Sequence, residues 1–273
     1  MLRALRHIRR MRGGAQSHLM RCSDGHYYVV KFQNNPQHTR ILVNELLATR
    51  LAARLGLPTT PVAVVEVSPG LIRLTPELCV EMPRTRVPCA AGLQFGSRYP
   101  GDPHKVTMLD FLPDELLPRV KNLGDFAGML AFDKWLCNTN GRQTLFYRGA
   151  GRQADHGTEE TAYETVMIDQ GFCFNAGEWN FPDAALRGLY SRNRVYEGVI
   201  GRASFDPWLE RIEKRMSEGV LDECFREIPP EWYADDLDSV MRLGEQLLRR
   251  RKLVPDLIYA AKNTNRRPFP NWI

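Results

Sequence analysis

Apolar positions change their period several times along the chain, and each change marks an element. Tyr27-Tyr28-Val29-Val30-Lys31-Phe32 follows an Asp24-Gly25 turn and is rich in β-formers, which predicts a strand carrying a single lysine. From Ile41 to Leu55 the apolar residues Leu42, Val43, Leu46, Leu47, Leu51 and Leu55 recur near helical spacing. The run stops at Gly56 with Pro58 beyond, as a helix should. Val62 to Val67 reads as a strand, whereas Thr75 to Pro103 is rich in Pro and Gly and predicts a long irregular insert, a flap near the substrate side. Lys105 to Leu112 predicts a strand stopped at Pro113, with Asp114 capping a helix from Glu115 to Val120. Leu123 to Leu136 predicts a buried helix whose Asp133 is read as a structural pair. The polar stretch from Gly149 to Glu160 reads as a hairpin tip or exposed loop, and Val166 to Phe172 as a strand that turns at Gly171. After Gly177 the pattern is mainly helical and amphipathic, with Leu237 to Arg251 as a surface helix ending in a solvated basic run, 249–252.

A chain of 273 residues with 43% hydrophobic content can bury a sizeable core, as one bilobal domain or two small ones. Its net charge of +5 is concentrated early, since Arg3, Arg6, Arg9, Arg10, Arg12 and Arg21 precede the first acid, Asp24. That cluster reads as a solvated basic strand near an anionic ligand; nucleic acid or acidic lipid is the less favoured partner. A mitochondrial presequence is set aside, because the arginines run straight into a Gly-rich turn. Six scattered cysteines without CxxC spacing, no signal peptide and no membrane-spanning run point to a reducing cytoplasm and no structural zinc.

The candidate chemistry starts from Lys31 on a strand and Glu45 on a helix, the ion pair with which kinase-like folds hold nucleotide phosphates. Upstream, Gly13-Gly14-Ala15-Gln16-Ser17 lets backbone amides come close to a phosphate. The strand-to-helix step at Asp110, Phe111 and Leu112 would be a hinge whose backbone meets an adenine edge. Cys137-Asn138-Thr139-Asn140-Gly141-Arg142-Gln143 is a polar loop after the buried helix. Roughly thirty residues later Asp169 ends an apolar strand before Gly171, a spacing that puts a proton acceptor beside a magnesium ligand.

Taken in order, GGAQSHL (13–19), YVVKF (28–32), VNELLA (43–48), FDKWLCNTNGRQ (132–143) and IDQGFCFN (168–175) resemble the HipA-like kinase family, related in fold to type II phosphatidylinositol 4-kinases and to protein kinases. The resemblance orders the chain to about residue 190 and leaves a helical tail. It implies an α+β, bilobal protein-kinase-like fold. Residues 1–112 would form a small β-rich N-lobe with one helix, and 113–273 a mainly helical C-lobe. It also implies ATP and magnesium as cofactors: Gly13 to Ser17 cover the phosphates, Lys31 binds them, Glu45 holds Lys31, and Asp169 coordinates the metal. Asn140 takes the catalytic position, where the family usually has Asp in an Asn-Thr-Asp triplet. A second departure is Leu145, where related kinases place an Asn as second metal ligand; Gln143 is the first replacement and Asn138 the other. The family contains toxins that phosphorylate translation factors, but neither a protein substrate nor an antitoxin-type partner is readable here. Three activities stay open: phosphoryl transfer to a protein hydroxyl, slowed by Asn140; nucleotide binding without transfer; and nucleotidyl transfer.

Overall fold

Five strands in the first hundred residues close into a barrel around an apolar core. In the computed structural model, which describes residues 1–148, 162–234 and 236–273, β1 (Leu2–Arg10), β2 (His18–Cys22) and β3 (Tyr27–Lys31) form an antiparallel meander. Helix α1 (Ile41–Leu55) follows, then β4 (Val62–Val67), a short helix α2 (Pro69–Leu74), the hairpin β5 (Cys79–Met82)–β6 (Thr85–Pro88), and β7 (Gly92–Arg98). β7 pairs antiparallel with β3 and β4, and β4 runs parallel to β1, closing the order β1-β2-β3-β7-β4. Met20, Tyr28, Val30, Phe32, Val65 and Val67 fill the barrel.

The expected flap over 75–103 is therefore mostly ordered strand. Gly96 looks like a loop residue, yet a Cβ there would lie 2.5 Å from Val65 Cγ2 and 3.3 Å from a Tyr28 ring carbon. Its glycine serves close strand packing rather than a turn. Two helices rather than one precede residue 112, because Ser68 Oγ caps α2 by accepting from the Leu71 amide at 3.1 Å, with Pro69 at the first helical position.

Beyond residue 105 the expected strand shrinks to β8 (Met108–Leu109), and the expected helix is a 3-10 turn, Asp114–Arg119, interrupted by Pro118 and preceded by Pro113 instead of an aspartate cap. α3 (Asp125–Trp135) is buried along its whole length except at Asp125. β9 (Gln143–Arg148) and β10 (Tyr163–Ile168) pair with each other, and β8 adds to β9. The loop expected at 149–160 lies outside the described residues. Helices resume only at α4 (Asp206–Arg215), α5 (Glu218–Phe225), α6 (Leu237–Arg250) and α7 (Val254–Lys262), so the stretch after Gly177 is irregular for almost thirty residues apart from two short 3-10 turns.

α1 is apolar on most of its surface, and its leucines share one core with Phe95 of the barrel and with buried residues of α3 and the tail helices. Each fully buried leucine of this kind contributes about 1.5–3 kcal/mol. The basic end of α6 is not simply solvated. Arg250 is buried, donates to the Lys134 and Trp135 carbonyls at 2.9 Å each, and grips Asp183 with bonds of 2.8 and 2.6 Å. Arg3, Arg6, Arg9, Arg12 and Arg21 are exposed, as a solvated basic strand requires, while Arg10 pairs with Glu81 at 2.7 Å. All six cysteines are buried free thiols, and no helix among the described residues is long and apolar enough to cross a membrane.

His18 opens β2 with no exposed surface, edge-on to Phe32. Its Nδ1 lies 3.1 Å from His7 Nε2, and Cys89 Sγ lies 3.8 Å from its Nε2. Burial first, then the nearby His7 and Arg10, pushes this imidazole down to about 4. A depressed folded value means that the unfolded chain takes up the proton first as pH falls. Its contribution is therefore intact above 6.5 and is lost between 6.5 and about 4, reaching roughly 3 kcal/mol. Denaturant titrations from pH 7 to pH 4 should show this slope in the native protein and a shallower one in His18→Gln. Equal slopes would show that His18 does not titrate this way.

Candidate active site

Lys31 ends β3 at the barrel rim, where its ammonium pairs with Glu45 of α1 and donates to Asp169 Oδ1 at 2.7 Å. The first two groups come from the barrel half of the chain and the third from the turn after β10, 138 positions away in sequence from Lys31. Burial alone would push the lysine down, but the Glu45 and Asp169 charges outweigh it and hold the ammonium above its ordinary range. Burial raises Glu45, whose side chain is 4% exposed; at Asp169, 28% exposed, burial is outweighed by the Lys31 charge, the hydrogen bonds to Lys31 and Glu45 and the Arg142 charge together, which lower it. Two carboxylates around one ammonium leave a net negative charge with its more open oxygen on Asp169, an arrangement that invites a cation.

The turn carrying Asp169 is built by α1. Asp169 has φ 58°, and a Cβ on Gly171 would meet Ile41 Cγ2 at 2.8 Å and Glu45 Oε1 at 3.2 Å, so only glycine fits so close to the helix. Glu45 accepts the Gly171 amide at 2.9 Å. Asn44 Nδ2, missed in the sequence reading, donates to the carbonyls of Gly171, Cys173 and Ala176 at 2.8, 3.0 and 2.7 Å. A polar pair, Asn44-Glu45, within the otherwise apolar run from Ile41 to Ala48 was the available signal.

The polar loop leaves α3 through Cys137, at φ 50°. Asn138 is buried, donates to Asp133 Oδ1 at 3.0 Å and accepts the Asn140 amide at 3.1 Å, which spends its side chain on the loop itself. Asn140 is exposed, and its Oδ1 accepts the Gly141 amide at 2.9 Å. Gln143 is exposed at the start of β9, in register with Ile168, while Leu145 lies opposite Val166. Asp133 and Arg142 form an ion pair with both side chains 0% exposed, including an Nε to Oδ2 bond of 2.8 Å. Arg142 also donates to the Ile168 carbonyl at 3.1 Å and Gln170 Oε1 at 3.0 Å. One guanidinium thus ties α3, the Asn140 loop and the Asp169 turn together. Arg142→Met should cost about 3–5 kcal/mol by stranding a buried carboxylate, with much of that recovered in the double variant with Asp133→Leu. Chemical denaturation of the three variants checks this; a single-variant loss below about 1 kcal/mol would remove the pair from the framework.

The Gly-rich turn sits at the barrel mouth with Gly13 at φ 119° and Gly13 and Gly14 exposed, while Ala15 and Ser17 are buried. The Gln16 side chain turns to the β5–β6 hairpin instead: Nε2 donates to the Glu81 carbonyl at 2.8 Å, and Oε1 accepts the Glu81 amide at 2.7 Å. Of the expected hinge residues, Asp110 is exposed and Phe111 is 58% exposed, whereas Leu112 is buried. The Leu112 carbonyl accepts from Arg192, whose guanidinium lies 4.5 Å over the Phe111 ring and pairs with Asp114. Arg192 is a second residue the sequence did not mark.

A family model described as HipA-like kinase matches residues 5–254. The chain belongs to the HipA-like kinase family. No curated protein sequence matches it significantly. Among solved structures this HipA-like kinase is similar to the Helicobacter pylori proinflammatory kinase CtkA, at 15% identity and TM-score 0.57 over 93% of each chain. It is also similar to the Golgi casein kinase, at 12% identity and TM-score 0.54 over 96% of this chain and 73% of that one. A Golgi casein kinase structure with Mn/ADP bound matches at 11% identity and TM-score 0.51, over 96% and 74%. These likenesses give the chain a kinase-like fold with a mixed α and β composition.

Proposed function

We propose that this HipA-like kinase binds ATP with magnesium and transfers a phosphoryl group to a protein hydroxyl, at a rate limited by Asn140. The observation that carries the reading is Lys31 joining Glu45 and Asp169 from the two halves of the chain. Residues 1–112 act as an N-lobe and 113–273 as a C-lobe, with the nucleotide between them, and six free thiols suit a cytoplasmic setting.

The residues fit magnesium. Asp169 and the Gln143 amide offer hard oxygens, and among the described residues no group of three or more His, Cys, Asp or Glu could hold a metal alone. Magnesium is commonly held by one or two carboxylates plus substrate phosphates, and the partly open Asp169 carboxylate supports that reading. When bound, the ion neutralises charge developing on the phosphate oxygens. Lys31 supplies a point charge for the phosphates, kept protonated by its two carboxylates. The amides around Gly13 and Gly14 approach the same phosphates, and the Asp110–Leu112 backbone, braced by Arg192, faces the base. Asn140 orients the attacking hydroxyl but cannot accept its proton, because an amide oxygen lacks the basicity of a carboxylate.

A pseudokinase is the second reading, favoured by the Asn140 Oδ1 already bonded to the Gly141 amide. Mass spectrometry of the protein and a generic protein acceptor after incubation with ATP and magnesium separates the outcomes. Phosphate on hydroxyls supports the proposal, an AMP adduct replaces it with nucleotidyl transfer, and nucleotide binding with no product supports the pseudokinase.

A further inference from the structure

The segment after Asp169 holds two residues, Phe174 and Ala176, at backbone angles that they do not favour. Asp169, Phe174, Asn175 and Ala176 all have φ between 56° and 59°, a region L-residues other than Asn and Asp rarely visit. Such backbone persists only where its surroundings over-determine it. Part of the hold comes from the loop after α3, where the Leu136 carbonyl accepts the Phe174 amide at 2.7 Å and the Thr139 amide donates to the Phe172 carbonyl at 3.1 Å; the rest comes from two consecutive residues of α1. Glu45 takes the Gly171 N–H at 2.9 Å and Asn44 takes the Gly171 carbonyl at 2.8 Å, so both sides of the residue two beyond Asp169 are clamped by one helix turn. Asn44 is fully buried and donates further to Cys173 and Ala176, on either side of the two left-handed residues Phe174 and Asn175. Its own amide is oriented by Trp179, whose indole N–H donates to Asn44 Oδ1 at 2.8 Å.

We infer that Asn44 is a positioning residue for magnesium: by pinning the carbonyls of Gly171, Cys173 and Ala176 it sets the direction of the Asp169 carboxylate, and it makes that direction depend on where α1 sits. The inference rests on the proposed role of Asp169. Its neighbour Glu45 fixes the phosphate-binding lysine, so one turn of α1 governs both the lysine and the metal carboxylate. Without the Asn44 donors, three carbonyls lose their side-chain bond, and the segment is left with the Glu45, Leu136 and Thr139 contacts.

The test is calorimetric titration of ATP, with and without magnesium, into the full chain and its variants. Asn44→Asp keeps the shape but replaces the N–H donors with an oxygen. It should weaken magnesium-dependent ATP binding about 10- to 100-fold, the usual effect of losing a group that orients a metal ligand, and leave metal-free ATP binding close to that of the native protein. Trp179→Phe frees the Asn44 amide and should shift the magnesium dependence the same way by less; it decides the matter if Asn44→Asp does not fold. Asp169→Ala is the control. If it removes the magnesium dependence while the folded Asn44 and Trp179 variants keep the native one, the inference is overturned and the role of Asp169 stands. If Asp169→Ala itself binds magnesium-ATP normally, the reading of Asp169 fails and takes the inference with it.

Discussion

Lys31→Ala is expected to abolish measurable ATP binding and also to destabilise the protein by about 3–5 kcal/mol, because it leaves the buried Glu45 carboxylate beside Asp169 with no cation between them. A domain of ordinary stability would lose a large part of its margin, so the variant is best studied near the temperature of maximum stability. Asp169→Ala separates the two effects. It leaves the Lys31–Glu45 pair intact and removes a side chain that is 28% exposed, so magnesium-dependent binding should vanish at a much smaller cost in stability. Calorimetry for binding and denaturant unfolding for stability, run on the same preparations, give both numbers. Native ATP affinity in a folded Lys31→Ala protein would show that the site assignment is wrong.

Asn140→Asp is expected to raise the rate of phosphoryl transfer by roughly 100- to 10,000-fold, the range that a general base contributes, with ATP affinity nearly unchanged. The structure favours a clean result. Asn140 is exposed, so a new carboxylate there stays hydrated, and an aspartate oxygen can accept the Gly141 amide as the asparagine oxygen does at 2.9 Å. Steady-state turnover with a generic protein acceptor is the measurement. No gain in kcat with ATP still bound would favour nucleotide binding without transfer.

Where a residue's role depends on neighbours in sequence, the sequence was readable. The strand around Lys31, the helix bearing Glu45 and the apolar α3 all carry local periodicity that burial then rewards. The convergence of Lys31 and Asp169 followed from the order of motifs, not from any local signal. β7 was unreadable because Gly96 is demanded by Val65, which belongs to another strand, and a glycine kept for packing looks the same as one kept for a turn. Asn44 and Arg192 act on backbone carbonyls 127 and 80 positions away, contacts that leave no spacing to recognise. Gln16 looked like a phosphate-loop residue, but its amide matches the main chain of Glu81, 65 positions on, in both donor and acceptor. Asn138 looked available to a metal until Asp133 and the Asn140 amide used up its side chain.

A crystal structure with a non-hydrolysable ATP analogue and magnesium bears most directly on the central claim. The expected density places the terminal phosphates on Lys31 Nζ and the cation on Asp169, with the 2.7 Å bond between those side chains opened to admit them. A nucleotide bound elsewhere, with Lys31 and Asp169 still joined, would contradict it.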